Sequence, residues 1–270
     1  MAHELSTRDA HDPPTDGHKA TQPLTARRHD TALNRQREVL ERAHWWRALQ
    51  WPERHAFEDQ CSPPKAVSGK TDLDSAGQPD DRLYLILDGW FARYVHGPRG
   101  LRQTLTILLP GQLMNPEILF LPGPPVGTAA LTDGEIVSVA KADLEVLAAR
   151  YPSVANAISV AVAERNLLLG EEIARLGRRS ARERMAHFIC EMVTRLGYAP
   201  LPVRRSCDFP LTQEQVADVL GLTVVHVNRT LKDLRAMEVI EWRAHRLDIL
   251  DWPSLARLGM FNGAYLEQRG

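Results

Sequence analysis

The sequence predicts an α+β fold in three parts: a small antiparallel β-roll, a long helix, and a C-terminal winged helix-turn-helix. Three observations predict it. Residues 82–140 are short β-like runs such as RLYLILDGW and EIVSVA, punctuated by Asp88-Gly89, Gly97, Pro110-Gly111 and Asp133-Gly134. Strands separated by turn signals at such intervals build a small antiparallel barrel or sandwich. Residues 153–176 carry Ile158, Val162, Leu169, Ile173 and Leu176 at spacings of three, four or seven, the stripe of a helix. Residues 211–250 read as two short helices and two short strands.

The elements follow in order. Residues 1–30 are rich in Asp, His, Pro, Thr and Arg. Such a segment buries too little apolar surface to offset its ordering entropy, so a disordered tail is expected. Its His3, His11, His18 and His29 have no regular spacing, and no metal site is expected. Thr31 to Phe57 reads as helical, with Leu33, Val39, Leu40, Trp45, Trp46 and Leu49 among charged residues and Pro52 breaking the pattern. Residues 58–80, with Pro63-Pro64, Gly69 and Gly77, are expected to be loop with at most a short strand. After the strands, Asp143 should cap a short helix over Leu144 to Arg150, with Pro152 as its stop. The long helix should end near Leu176, interrupted by Gly177. Its narrow stripe fits a coiled-coil seam between two chains, and it fits packing on the chain's own β-roll as well. Ser180 and Glu183 form a capping box that opens a helix to Leu196.

The stretch LTQEQVADVLGLTVVHVNRTLKDL is the most informative. Thr212 and Gln215 have capping-box spacing, so a helix starts at Gln213 and buries Val216, Ala217 and Leu220. Gly221 stops it, because glycine accepts the left-handed conformation there. Thr223 caps a second helix whose Val227, Leu231 and Leu234 share one face. Val225, Arg229 and Lys232 lie opposite, flanked by His226 and Asn228. An outer face of this chemistry suits a DNA major groove. The plainer alternative is two helices with a solvated charged face. Val239 to Trp242 and Leu247 to Leu250 then form a hairpin whose tip carries Arg243 and Arg246, placed to reach phosphates.

The run LTQEQVADVLGLTVVHVNRTLKDLRAMEVI, with Asp251 and Leu255 beyond it, resembles the winged helix-turn-helix of the Crp/Fnr superfamily of bacterial transcription regulators. LYLILDGWFARYVHGPRGLRQTLTILLPGQLM resembles the effector-sensing, cyclic-nucleotide-binding-like β-roll of that superfamily, and LGRRSARERMAHFICEM its interdomain hinge. The resemblance covers residues 80–265 and implies four parts: a tail (1–30), a sensor β-roll (31–142), a dimerisation helix (143–177) and a winged helix-turn-helix (178–270). It implies a homodimer joined through Ile158, Val162, Leu169, Ile173 and Leu176, which binds a palindromic promoter site in double-stranded DNA and works with RNA polymerase. Contacts to DNA are expected from Thr212, Thr223, Val225, His226, Asn228, Arg229, Lys232, Arg243 and Arg246. The second expectation, from another class, is a ligand-binding signalling module whose winged helix makes protein contacts.

Composition narrows the remaining classes. The formal net charge is −1, yet residues 177–246 hold 12 Lys and Arg against 8 Asp and Glu, a local excess that fits a confined nucleic-acid footprint. No apolar run approaches a membrane span and no signal-peptide pattern opens the chain, so a cytoplasmic protein without membrane contact is expected. Cys61, Cys190 and Cys207 are far apart, which argues against a disulfide framework, a zinc site or a one-chain all-cysteine iron–sulfur cluster. No phosphate loop, HExxH, GxSxG or GxGxxG occurs, and Cys190 beside His187 reads as a pair flanking a core, so no enzyme is expected. Members of the resembled family that bind cyclic AMP carry Gly-Glu and Arg-Ser in the late-strand loop. The equivalent residues 111–131 contain no Arg, Lys or His and one acid, Glu117. A small-molecule effector other than cyclic AMP, or none, is expected, with no cofactor.

Overall fold

The computed structural model describes residues 39–41, 43–74, 81–97, 102–121, 126–197 and 205–266. The expected tail over 1–30, and the start of the helix expected from Thr31, lie outside these residues. Residues 39–40 are helical, and two short helices follow them, α1 (His44–Arg47) and α2 (Trp51–Glu58). Pro52 does not break a helix: it sits in the first turn of α2, where its missing N–H has no intrahelical partner to lose. Strands β1 (Lys65–Val67), β2 (Asp72–Asp74), β3 (Arg82–Asp88), β4 (Phe91–His96), β5 (Arg102–Leu108), β6 (Gly127–Ala130) and β7 (Gly134–Ala140) follow. The segment expected to be loop therefore supplies two strands, β1 and β2. A 3₁₀ turn, Pro116–Leu119, lies between β5 and β6.

These strands form two antiparallel sheets, β1-β7-β3 and β2-β6-β4-β5. Side chains alternate across a strand, and here both faces are apolar. Leu83, Leu85 and Leu87 of β3 pack with Val137 and Val139 of β7 against Trp45, Trp46 and Phe57 of the N-terminal helices. The intervening Ile86 joins Phe91, Leu108, Ala130 and Ile136 in the roll interior. On the second sheet the outer face is covered by the C-terminal part: Trp90, Ala92, Ile107 and Leu109 share one core with Phe188, Phe209, Val219 and Trp242.

Helix α3 (Lys141–Arg150) begins directly after β7. Its N-cap is Ala140 without a side-chain bond, so Asp143 lies in the first turn and is not the cap. The helix ends at Arg150, just ahead of Pro152 as expected, and Pro152 is also the first residue of the long helix α4 (Pro152–Arg178). Gly177 lies inside α4, which ends at extended Arg179. Helix α5 (Ala181–Arg195) opens on the expected capping box, with Ser180 N donating to Glu183 Oε2 at 2.7 Å.

The C-terminal part contains β8 (Arg205–Asp208), α6 (Gln213–Leu220), α7 (Val224–Ala236), β9 (Ile240–Arg243), β10 (Arg246–Ile249) and α8 (Trp252–Leu258), then a 3₁₀ turn Gly263–Tyr265. The wing sheet has the order β8-β10-β9. Strand β8 was not anticipated; its buried Cys207 and the following buried Phe209 are the signal that marked it. No single helix among the described residues is long and apolar enough to cross a membrane.

Candidate nucleic-acid interface and sensor site

The helix-turn-helix forms as its residues dictate. Thr212 Oγ1 accepts from Gln215 N at 3.2 Å, and Gln215 Oε1 accepts from Thr212 N at 2.8 Å. Gly221 has φ +60°, the left-handed stop. Thr223 caps α7 by accepting from His226 N at 3.3 Å. Val216, Ala217, Leu220, Val227, Leu231 and Leu234 are buried in one core, which fixes the angle between α6 and α7.

The opposite face of α7 is open. Val225 is 69 % exposed, and His226, Arg229 and Lys232 are exposed. Arg229 and Lys232 have no ion pair or hydrogen bond among the described residues. Asp233, the nearest candidate to neutralise Arg229 on the same helix, is held by Arg182 at 2.9 Å instead. Asn228 is half-buried, and its amide donates to Val224 O at 3.1 Å, so it flanks the open face rather than standing on it. The wing turn is a two-residue mirror-image turn, with φ +48° at Ala244 and +65° at His245. It holds Arg243 and Arg246 at the tip, where Arg243 pairs with Glu241 at 2.7 Å and Arg246 lies 4.0 Å from Asp248. Thr212 and Thr223 are exposed at the starts of their helices. Of the nine expected residues, eight are exposed and Asn228 is half-buried.

The long-helix stripe divides. Ile158 is fully buried in the chain's own core with Leu85, Leu113 and Leu147. That contradicts its assignment to a subunit interface, because its side chain has no surface left to offer. Val162, Leu169 and Leu176 are half-buried, and Ile173 is 73 % exposed. One exposed line along α4 is Ser159, Ala163, Asn166, Gly170, Ile173 and Gly177, spaced alternately four and three apart as in a heptad seam, with exposed Asn156, Leu167 and Ala174 beside it. A Cβ added at Gly170 or Gly177 would meet nothing within 4 Å.

In the sensor, residues 111–131 contain no cation, but two arrive from elsewhere in the fold. Arg93 of β4 and Arg165 of α4 converge on Glu117, at 2.5 Å and 3.2 Å. The expectation that this loop meets no fixed positive charge is therefore corrected; a reading confined to the loop missed both residues. Arg165 also donates to Met114 O at 2.9 Å and to Leu113 O. Burial and the neighbouring Arg93 charge pull its pKa down to about 9. Gly127, at the start of β6, sits against the Tyr94 ring so closely that a Cβ there would lie 2.4 Å from Tyr94 Cζ.

A second charged cluster joins the two halves. Glu191 of α5 accepts from Arg175 of α4 at 3.2 Å, from Arg195 at 3.3 Å and from Tyr265 Oη at 3.0 Å. Arg195 reaches on to the sensor, donating to Ile107 O at 2.5 Å and Gln112 Oε1 at 3.0 Å. Burial opposes the Arg175 cation, but Glu191 and Glu172 outweigh it and keep its pKa above the ordinary value. Among the described residues no group of three or more His, Cys, Asp or Glu is placed to hold a metal.

Comparison with known proteins agrees with this architecture. Residues 70–151 match the cyclic nucleotide-binding domain family and residues 183–258 the Crp-like helix-turn-helix domain family. The CRP-like cAMP-activated global transcriptional regulator of Mycobacterium tuberculosis is 27 % identical over 221 residues, 82 % of this chain and 98 % of that one. The anaerobic regulatory protein of Pasteurella multocida is 25 % identical over 194 residues, 72 % of this chain and 71 % of that one. Among solved structures, FixK2 from Bradyrhizobium japonicum superposes with a TM-score of 0.66 at 24 % identity, over 73 % of this chain and 96 % of that chain. The chain belongs to the Crp/Fnr superfamily, as a DNA-binding transcription regulator with a ligand-sensing N-terminal domain.

Proposed function

We propose that the chain binds a two-fold symmetric DNA site as a homodimer, with α7 in the major groove and the wing on the flanking backbone. The observation that carries this is the open face of α7: Arg229 and Lys232 stand unpaired beside exposed Val225 and His226. Arg229 addresses O6 and N7 of a guanine, Val225 packs against a thymine methyl, and Lys232 meets a phosphate. Arg243 and Arg246, each near a carboxylate, add phosphate contacts once they exchange those partners. The dimer forms through the seam Ser159–Ala163–Asn166–Gly170–Ile173–Gly177, where small residues let two helices approach closely. Val162, Leu169 and Leu176 border it. The protein acts in the cytoplasm on promoters, through RNA polymerase, and carries no enzymatic activity of its own.

The effector is not cyclic AMP. The Mycobacterium relative is named for activation by cyclic AMP, but a phosphodiester needs an unneutralised cation in the roll. Glu117 engages both Arg93 and Arg165, so a phosphodiester would have to displace it for the one positive charge left over, and Tyr94 fills the space in front of Gly127. Selection of bound DNA from a random pool, followed by gel shifts at several salt concentrations, tests the main reading. The expected result is a palindrome with half-sites about one helical turn apart and a steep loss of affinity with salt. Recovery of no enriched sequence, or binding indifferent to salt, refutes it.

A further inference from the structure

The turn at residues 109–112 of the sensor, the middle of α4 and the end of α5 do not close on one another. Between them lies a cavity of about 400 Å³, large enough for a small organic ligand. No residue of the roll interior lines it, nor do Arg93, Glu117 or Arg165, so it is separate from that cluster. Leu109, Pro110, Leu168 and Leu196 make its apolar walls, and His44, Glu164 and Arg195 supply charge.

The charged groups decide what chemistry fits. Arg195 is 7 % exposed and its two terminal nitrogens already serve Glu191, Ile107 O and Gln112. Its Nε–H alone is left without a partner among the described residues, and that atom has no exposed surface to offer an anion. Among the described residues Glu164 is the one carboxylate lining the cavity; a single oxygen meets His44 Nδ1, at 2.8 Å, and the side chain stays 25 % exposed. A carboxylate with free lone pairs beside apolar walls favours an apolar body bearing an ammonium donor.

We infer that this junction cavity is an effector site for a small apolar molecule carrying an ammonium group. The position gives it leverage. Glu164 and Leu168 belong to the long helix, Thr194 to Leu196 to the helix that opens the reader, and Leu109 to Gln112 to the sensor. An occupant bridges all three and stabilises the arrangement in which Arg195 ties reader to sensor. This coupling to DNA rests on the DNA-binding reading above; the binding step does not.

The test uses the full chain and two matched probe pairs, phenethylamine with hydrocinnamate and tryptamine with indolepropionate, followed by saturation-transfer NMR. The amines are expected to receive saturation, and the carboxylates to bind about tenfold more weakly, as loss of a charge-assisted bond implies. Leu168→Trp, which fills the cavity, should abolish the amine signal; if that variant fails to fold by circular dichroism, Ala43→Phe fills it from the opposite wall. Glu164→Gln should remove the preference for amines. The inference is overturned if neither amine binds, if binding survives the filling variant, or if the carboxylates bind equally well. A gel shift with and without amine separates the two steps. Amine binding with unchanged DNA affinity refutes the coupling alone, whereas failure to bind any DNA refutes the earlier reading and leaves the site standing.

Discussion

Replacing Glu191 with leucine should cost more stability than most single substitutions in this chain. Its side chain is 4 % exposed and accepts from three donors: Arg175, 1 % exposed, Arg195, 7 % exposed, and Tyr265. Burial pushes the Glu191 pKa up, but Arg175 and then Arg195 more than offset this and hold it below the ordinary carboxylate value. Leucine matches the volume but leaves two buried guanidiniums short of a counter-charge. Breaking a buried ion pair from one side costs about 3–5 kcal/mol. Arg175 keeps Glu172, at 2.5 Å, and Arg195 keeps Ile107 O and Gln112, so the lower end, about 3 kcal/mol, is expected. Glu191→Gln, which retains an acceptor, should cost less. Adding Arg175→Met together with Glu172→Leu to Glu191→Leu removes one stranded cation and the buried carboxylate it would otherwise leave unpaired, and should recover about half of the loss, since apolar replacement of a whole buried pair is often neutral. Urea unfolding at one fixed protein concentration gives these numbers, because dimer stability depends on concentration. A loss below about 1 kcal/mol for Glu191→Leu, or no recovery in the triple variant, would mean that water reaches the cluster and that it does not fasten the reader to the sensor.

Other outcomes follow from the same geometry. Ile173→Glu places a charge in the centre of the proposed seam and should yield monomers by sedimentation, with far weaker binding to a palindrome; an unchanged dimer would move the interface elsewhere. Arg229→Ala should cost about 1–3 kcal/mol of DNA affinity and relax preference at one symmetric position, while Lys232→Ala weakens all sequences alike and lowers the salt slope by about one, both read from single-base variants of the selected site. Calorimetry with cyclic AMP should show no heat of binding, and a micromolar constant would show that Glu117 releases its arginines to the phosphate. The pKa of His187 is lowered to about 4, by burial first and then by the charges of Arg175 and Arg179. The unfolded chain therefore binds this proton first, and stability should fall as pH drops from about 6.5 towards 4. His187→Phe should flatten that part of a melting-temperature profile, and an identical slope in both proteins would refute the assignment.

Local signals were the legible ones. Capping boxes at Ser180 and Thr212, the stop at Gly221 and the 3.6-residue periodicity of Val227, Leu231 and Leu234 concern residues within a few positions of one another, and the folded chain keeps each. Prolines misled for a definable reason. Pro52 and Pro152 read as helix stops, and a helix does end shortly before each, yet both also occupy the first turn of the next helix, where proline is favoured as much as it is excluded from helix interiors. A sequence window shows the proline but not which side of it the helix lies on. Contacts between distant residues were not legible at all: Arg93 and Arg165 meet at Glu117 only because β4, α4 and the 3₁₀ turn pack together.

The long helix shows why apolar periodicity alone does not locate an interface. Its largest apolar residues were assigned to a partner, yet the β-roll has a prior claim on one side of the helix and takes Val154, Ile158 and Ala161 into its own core. The side left over is set by what the chain cannot cover itself, and it carries Ser159, Ala163, Asn166, Gly170 and Gly177 around exposed Ile173, with exposed Leu167 beside them. That seam has a stricter heptad spacing than the apolar stripe, but small residues contribute little to a hydrophobicity pattern. Their value at a helix pair is proximity: without side chains in the way, two backbones come close and the many dispersion contacts add up. On the same argument Gly170→Leu should disturb the dimer as much as Ile173→Glu, by forcing the helices apart rather than by stranding a charge. If instead Gly170→Leu strengthens association in sedimentation, the helices meet at a wider spacing through Val162, Leu169 and Leu176, and the seam lies one residue to the side.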